Sequence, residues 1–200
     1  MTATDNFPEI KQEILRRAHE ARACKGQYGR ACKSETMAEL CQVIKDNFWW
    51  ACNHKVIDCE LLEKYKEAFA EHDIFVNVSV ERGYLLCGSA TVKACGSATV
   101  KAYGSATVKA YDSATVEAWG SATVEAWGSA TVEACGSATV KAFDSATVEA
   151  CGSATVKAYD SAYCTSYLLI ECKLSDNALY RVRSTNTVYY ANDSIKFQKL

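Results

Sequence analysis

Apolar and polar positions keep two rhythms along this chain, and the change falls near residue 73. Before it, apolar residues recur at helical spacing. Ile10, Ile14, Leu15 and Ala18 share one face behind a Phe7-Pro8 start, while Lys11, Glu13, Arg16 and Arg17 take the other. Met37, Leu40, Cys41, Ile44 and Phe48 form a second stripe, opened by Thr36-x-x-Glu39 in capping-box spacing. Asp58 opens a third, with Ile57 and Leu62 placed as a hydrophobic staple and Leu61, Tyr65 and Phe69 continuing the face. These patterns predict a small helical domain of three main helices over residues 1–73.

After Asp73 the period becomes that of a strand. Ile74 to Val80 is rich in β-branched residues, Gly83 marks a turn, and Tyr84-Leu85-Leu86 follows, so 74–86 reads as lead-in strands. From Cys87 to Ala158 one eight-residue unit, x-[Gly/Asp]-Ser-Ala-Thr-Val-[Lys/Glu]-Ala, is written nine times without a gap. Within each unit Ala, Val and Ala fall on one face, and Ser, Thr and Lys or Glu on the other. Gly or Asp supplies the corner, because both tolerate backbone conformations that bulky side chains resist. Each octad is then one strand and one corner. Residues 159–200 carry decaying echoes, including Tyr159-Asp-Ser-Ala, Ser175-Asp-Asn-Ala-Leu-Tyr-Arg-Val and Asn192-Asp-Ser-Ile, with larger apolar residues, and read as terminal coils and cap.

The number of octads per coil follows from the corner residue. Asp stands at 112, 144, 160 and 176, positions that differ by multiples of sixteen, whereas 88, 104, 120, 136 and 152 are all Gly. A coil of sixteen residues places the aspartates in one column; one of twenty-four scatters them over two. The fold class expected is therefore α+β: an N-terminal helical domain followed by a two-sided parallel β-solenoid of about 16 residues per coil, its coils about 4.8 Å apart. The residues before each corner make two edge ladders. One runs Cys87, Tyr103, Trp119, Cys135, Cys151, Tyr167, and the other Cys95, Tyr111, Trp127, Phe143, Tyr159. Cys and Trp differ too much in volume to exchange inside a close-packed core, so these edges should be half exposed and stacked along the axis. The helical segment is expected to cover the first coil, because open solenoid ends recruit strands from other chains.

The octad Tyr111-Asp-Ser-Ala-Thr-Val-Glu-Ala resembles a repeat in uncharacterised proteins of gut bacteria and their phages. Val43-Ile-Lys-Asp-Asn-Phe and Ile170-Glu-Cys-Lys-Leu-Ser-Asp-Asn-Ala resemble flanks of the same group. The resemblance implies a solenoid with a helical N-terminal domain and transfers no activity or site residue.

Composition narrows the function. A net charge of −2 gives no general electrostatic reason to bind nucleic acid or an anionic membrane. No apolar run has the length of a membrane span, and MTATDNFPEIKQEI lacks the basic and apolar regions of a signal peptide. The expected location is cytoplasmic, with the eleven cysteines as free thiols packing as small hydrophobes.

Candidate chemistry is sparse. Cys41, Cys52, His54 and Cys59 offer soft ligands, but their spacing matches no standard zinc finger and Cys41 lies on an apolar face. His19, His54 and His72 have no evident Cys or Ser partner in the sequence, and the repeat glycines lack phosphate-loop spacing. No cofactor, metal or catalytic residue is therefore assigned. The Lys/Glu positions form two outward rows, too balanced in charge for a strong DNA mimic, and their long side chains spoil the flatness an ice-binding face needs. Phe48-Trp49-Trp50 is the strongest local partner signal, since three consecutive aromatics cannot all face one helical core. Phe48, Trp49 and Trp50, with the ladder aromatics Tyr103, Tyr111, Trp119 and Trp127, are the candidate partner-binding residues. The expected function is non-enzymatic protein binding, as an accessory protein in phage–host interplay. The alternatives are a self-assembling structural protein and a Cys/His-dependent enzyme in the helical domain.

Overall fold

The computed structural model describes residues 6–191. The chain divides into two compact units: one runs through Asn77 and includes Gly83–Leu86, and the other comprises Val78–Arg82 and the chain from Cys87 onward.

The first unit holds α1 (Phe7–Glu20), α2 (Lys25–Lys33), α3 (Met37–Asp46), α4 (Phe48–Asn53), α5 (Cys59–Lys64) and α6 (Lys66–Ala70), followed by β1 (Ile74–Val76), which pairs in parallel with β2 (Tyr84–Cys87). Ile10, Ile14 and Ala18 bury the predicted face of α1. The Thr36 hydroxyl accepts from Glu39 N–H at 3.2 Å, and the Asp58 carboxylate accepts from Leu61 N–H at 2.8 Å, so both predicted caps form. Ile57 and Leu62 are fully buried.

Three main helices were expected and six are found among the described residues. The second stripe breaks at Asn47, whose side-chain amide donates to the Val43 carbonyl and whose φ of −128° leaves the helical region. The third breaks in the same way at Tyr65, with φ −124°. The stripes survive these breaks because the chain re-enters a helix at once. α2 escaped the sequence pattern because Gly26 and Gly29 each cost about 1 kcal/mol of helix propensity relative to Ala and it buries only Ala31. The Lys11 ammonium holds it by donating to the Cys32 and Ser34 carbonyls at 2.8 and 2.7 Å, where the helix C-terminus leaves acceptors free.

The second unit is a parallel β-solenoid of about six turns with about 16 residues per turn. One sheet, sheet A, contains β4 (Thr99–Ala102), β6 (Thr115–Ala118), β8 (Thr131–Ala134), β10 (Thr147–Ala150), β12 (Tyr163–Ser166) and β14 (Leu179–Val182), closed by β15 (Thr187–Tyr190). The other, sheet B, contains β3 (Thr91–Ala94), β5 (Thr107–Ala110), β7 (Thr123–Ala126), β9 (Thr139–Ala142), β11 (Thr155–Ala158) and β13 (Glu171–Leu174). Neighbours pair at a sixteen-residue offset, Thr over Thr, Val over Val and Ala over Ala. Ala130, Val132 and Ala134, and their equivalents in the intact octads apart from half-buried Ala90, are buried, so the interior is a narrow slab of small apolar side chains.

Corners add a second ladder of bonds. In most, the Ala N–H reaches back to the residue before the corner, as Ala114 N–H does to the Tyr111 carbonyl at 3.2 Å. The Gly or Asp between them has φ between +54° and +71° from Gly96 to Asp176. The next coil hangs on this turn: Ser129 N–H donates to the Asp112 carbonyl at 2.8 Å, and Ser137 N–H to the Gly120 carbonyl at 2.8 Å. Aspartates add a further rung. The Asp144 carboxylate accepts from Gly128 N–H at 2.8 Å, and the Asp160 carboxylate from Asp144 N–H at 3.0 Å.

The far end departs from simple coiling. Tyr180 occupies a Val position, and its hydroxyl is satisfied by the Ser166 hydroxyl at 2.6 Å and the Ile170 N–H at 3.0 Å, so Ser166 stands where the repeat has Ala. β15 then folds back antiparallel on β14, so the expected run of terminal coils ends in a hairpin. The Asn192-Asp-Ser-Ile echo lies outside the described residues.

Corner chemistry generates a test. A side chain at Gly104 (φ +64°) would place Cβ 2.8 Å from the Gly88 carbonyl oxygen, so Gly104→Val should cost about 2–3 kcal/mol in urea unfolding. Gly128→Asp should stay within about 1 kcal/mol of the parent, because Asp tolerates this backbone conformation and restores a missing rung.

Candidate functional site: two faces, two ladders and an aromatic helix

Strand alternation sends the Lys/Glu position of every coil outward, and the two sheets carry different charge. The sheet B row reads Lys93, Lys109, Glu125, Lys141, Lys157, Lys173. Glu125 is bridged by Lys109 at 3.3 Å and Lys141 at 3.1 Å, and the hydrogen bond from Lys141 holds its carboxyl below the usual range. The sheet A row reads Lys101, Glu117, Glu133, Glu149, Thr165, Arg181.

On sheet A, Lys101 and Glu117 are 3% and 8% exposed and form an ion pair. Trp119 Nε1–H donates to Glu117, and the Lys101 ammonium stands 4.9 Å from the centre of the Trp119 ring. Glu149 pairs with Arg183. Glu133, between two glutamates of its own row, titrates above the usual range, first because it is partly desolvated and then because Glu117 and Glu149 repel its charge, with Lys101 opposing.

Both predicted edge columns form, but Cys87 and Cys135 of the first are buried rather than half exposed. In the second, Trp127 stacks on Phe143 at 3.9 Å and Phe143 on Tyr159 at 4.8 Å, with ring planes within 10° of parallel. Buried Trp127 Nε1 lacks a hydrogen-bond partner. Tyr103 and Tyr111 are half-buried and Trp119 is 41% exposed. In the first ladder Cys135 and Cys151 are joined by a disulfide, which corrects the expectation that every cysteine is a free thiol. The coil step accounts for it: one column sets these two residues at a Cα–Cα distance of 4.8 Å, inside the range a disulfide spans.

Phe48, Trp49 and Trp50 lie together on α4. Phe48 is 2% exposed and packs edge-on to Trp49 and, at 5.0 Å, against Tyr84, so it is a core residue of the helical unit. Trp50 stacks on the His54 ring at 4.6 Å and borders a small apolar cavity of about 40 Å³ with Ile14, Leu40 and Val56. Trp49 is half-buried. The His54 Nδ1 lies 2.9 Å from the Trp50 carbonyl oxygen. Cys41 is buried and its thiol is pushed up to about 12. Among the described residues no group of three His, Cys, Asp or Glu side chains is placed to hold a metal ion, and no helix is long and apolar enough to cross a membrane.

No protein-family model, no curated protein and no solved structure matches the chain.

Two measurements check the charge rows. Lys101→Met leaves the buried Glu117 carboxylate without its cation and should cost about 3 kcal/mol in chemical denaturation, whereas Lys109→Met, on a more exposed pair, should cost under about 1 kcal/mol. A carboxyl raised in the folded state opposes folding at neutral pH, and this penalty fades as pH falls through its folded value. Glu133→Gln should therefore stabilise by roughly a few tenths of a kcal/mol at pH 7 and by nothing at pH 3.

Proposed function

We propose that the chain is a non-enzymatic protein-binding solenoid whose lysine-rich sheet B face engages an acidic surface on a partner protein. The observation that carries this reading is the unequal sorting of charge between two regular faces. Lys141, Lys157 and Lys173 stand on successive strands of one sheet, and Glu117, Glu133 and Glu149 on successive strands of the other. A fixed row of this kind binds by complementarity and gains rate from electrostatic steering. Two of the histidines considered for catalysis sit against aromatic rings, His54 on Trp50 and His19 at 6.0 Å from Tyr28, which supports binding over chemistry. The resemblance of the octad to repeats of gut bacteria and their phages supports a bacterial host protein as the partner, in an accessory role inside the cell.

A second reading, self-assembly, is favoured by the same sorting, because the two faces of separate copies complement each other. It is also favoured by Tyr167, Leu168 and Leu169, each more than 60% exposed beside the last coil.

The test immobilises the full chain and compares it with Lys141→Glu/Lys157→Glu/Lys173→Glu in capture from a bacterial lysate, with light scattering on both. The binding reading expects a partner retained by the parent, released by about 0.5 M salt and lost in the variant. Capture unaffected by the charge reversal sinks the lysine face as the site. A parent whose mass grows with concentration while no other protein is retained replaces binding with self-assembly.

A further inference from the structure

The two sheets of the solenoid do not end together. Sheet A carries β14 and the antiparallel β15 after β12, whereas sheet B ends at β13 among the described residues. Cys172 and Leu174 of β13 stand in register with Val156 and Ala158 of β11, and Ile170 follows Ala154 by one coil step. Ala154, Val156 and Ala158 are buried, while Ile170, Cys172 and Leu174 are only half-buried. The difference is one strand of cover. These three residues line a recess of about 330 Å³ with Leu169, Tyr180 and Tyr189. Tyr189, on β15, is 43% exposed and stacks on Tyr180 at 5.7 Å. The recess is thus the space that the inward side chains of a further sheet B strand would fill.

The backbone of β13 is set to receive that strand. In the intact coils the Thr position and the residue before the corner donate backward, as Thr155 N–H does to the Ala138 carbonyl at 3.0 Å and Tyr159 N–H to the Ala142 carbonyl at 2.9 Å. In a parallel ladder alternate residues bond to opposite neighbours, so the inward positions bond forward to the next coil. Ser175 N–H still donates back to the Ala158 carbonyl at 2.9 Å, which holds β13 in the ladder. On β13 the forward groups are the carbonyls of Ile170, Cys172 and Leu174 and the Cys172 N–H, and no described strand pairs with β13 on that side. An open edge beside an apolar recess is a template for an added strand.

We propose that this edge binds one extended segment of a partner protein, added parallel to β13 as the next strand of sheet B. The chemistry of the segment follows from its neighbours. Side chains that face inward meet Ile170, Cys172 and Leu174, so they are apolar, and the recess admits residues larger than the Ala and Val of the octad. The outward residue beside Lys173 is acidic. Glu125 is the precedent within the chain: on the strand between Lys109 and Lys141 it pairs with both, at 3.3 and 3.1 Å. Lys173 has Glu171 at 3.8 Å on its own strand and another lysine, Lys157, on the strand below. A carboxylate on the strand above gives this end of the row the same interruption. The site rests on the reading of the lysine face as a place for an acidic partner, and adds to it the conformation and apolar residues of the bound segment.

The probe is a fluorescein-labelled peptide, Ser-Gly-Leu-Thr-Leu-Glu-Leu, titrated with the full chain and read by fluorescence anisotropy. In register it sets Leu beside Ile170, Cys172 and Leu174, and Glu beside Lys173. Saturable binding is expected, with a peptide carrying Lys in place of Glu weaker by about fivefold or more. Lys173→Glu, a change at an exposed position, should reverse that preference. Cys172→Pro removes a forward N–H where an edge strand tolerates proline, and should abolish binding with the circular dichroism of the parent retained. No saturable binding, equal binding of the two peptides or a preference that Lys173→Glu does not reverse overturns the proposal. The first of these is also the result if a second copy or the residues after 191 already fill the edge. The charge reversal does not depend on how well the proline variant folds. The lysine face is judged separately: lysate capture lost in Lys141→Glu/Lys157→Glu, with no peptide bound to the parent, removes the edge site and leaves the face, and peptide binding with no captured protein does the reverse.

Discussion

Everything in the second unit depends on one constraint: residue n sits on residue n+16, in register, at the spacing of hydrogen-bonded strands. Backbone ladders fix that spacing, and the side chains have to accept it. An octad of small residues accepts it well, since Ala and Val fill a thin slab and repeat without conflict. Burial per residue is modest, so cohesion comes as much from the strand and corner hydrogen bonds as from the apolar interior.

In-register stacking puts like on like, which helps in some columns and hurts in others. Rings gain from it, as Trp127, Phe143 and Tyr159 show. Two cysteines in one column become a covalent clip. Like charges lose, and the chain answers in two ways: it interrupts a lysine row with Glu125, and it gives corner aspartates backbone N–H partners one coil below. At Glu133 neither answer applies, and desolvation together with the neighbouring glutamates raises its titration. The faces thus combine a uniform backbone with a non-uniform charge pattern, and only the second can confer specificity.

Much of this was legible in the chain. The Asp column from 112 to 176 alone distinguishes a sixteen-residue coil from a longer one, and the ladders and charge rows follow by counting. The Cys135–Cys151 bond was legible too, because the ladder already placed the two side by side; an assumption about reducing surroundings hid it. Other features leave no periodic trace. Asn47 and Tyr65 break helices without disturbing the apolar stripes. The β15 hairpin and the burial of Phe48 arise from packing that octad arithmetic does not encode.

The two octads of a coil are not interchangeable. One carries the Gly-only corner and the other the Gly/Asp corner; one presents mainly lysine and the other mainly glutamate. Removing a single octad would send every later strand to the opposite sheet, carry the carboxylates to the lysine side, and reverse the surface on which the terminal hairpin docks. Removing or duplicating two octads returns each side chain to its own column. The heritable unit of this protein is therefore the coil: lineages can lengthen or shorten the rod in even steps and keep its surfaces, while odd steps exchange them.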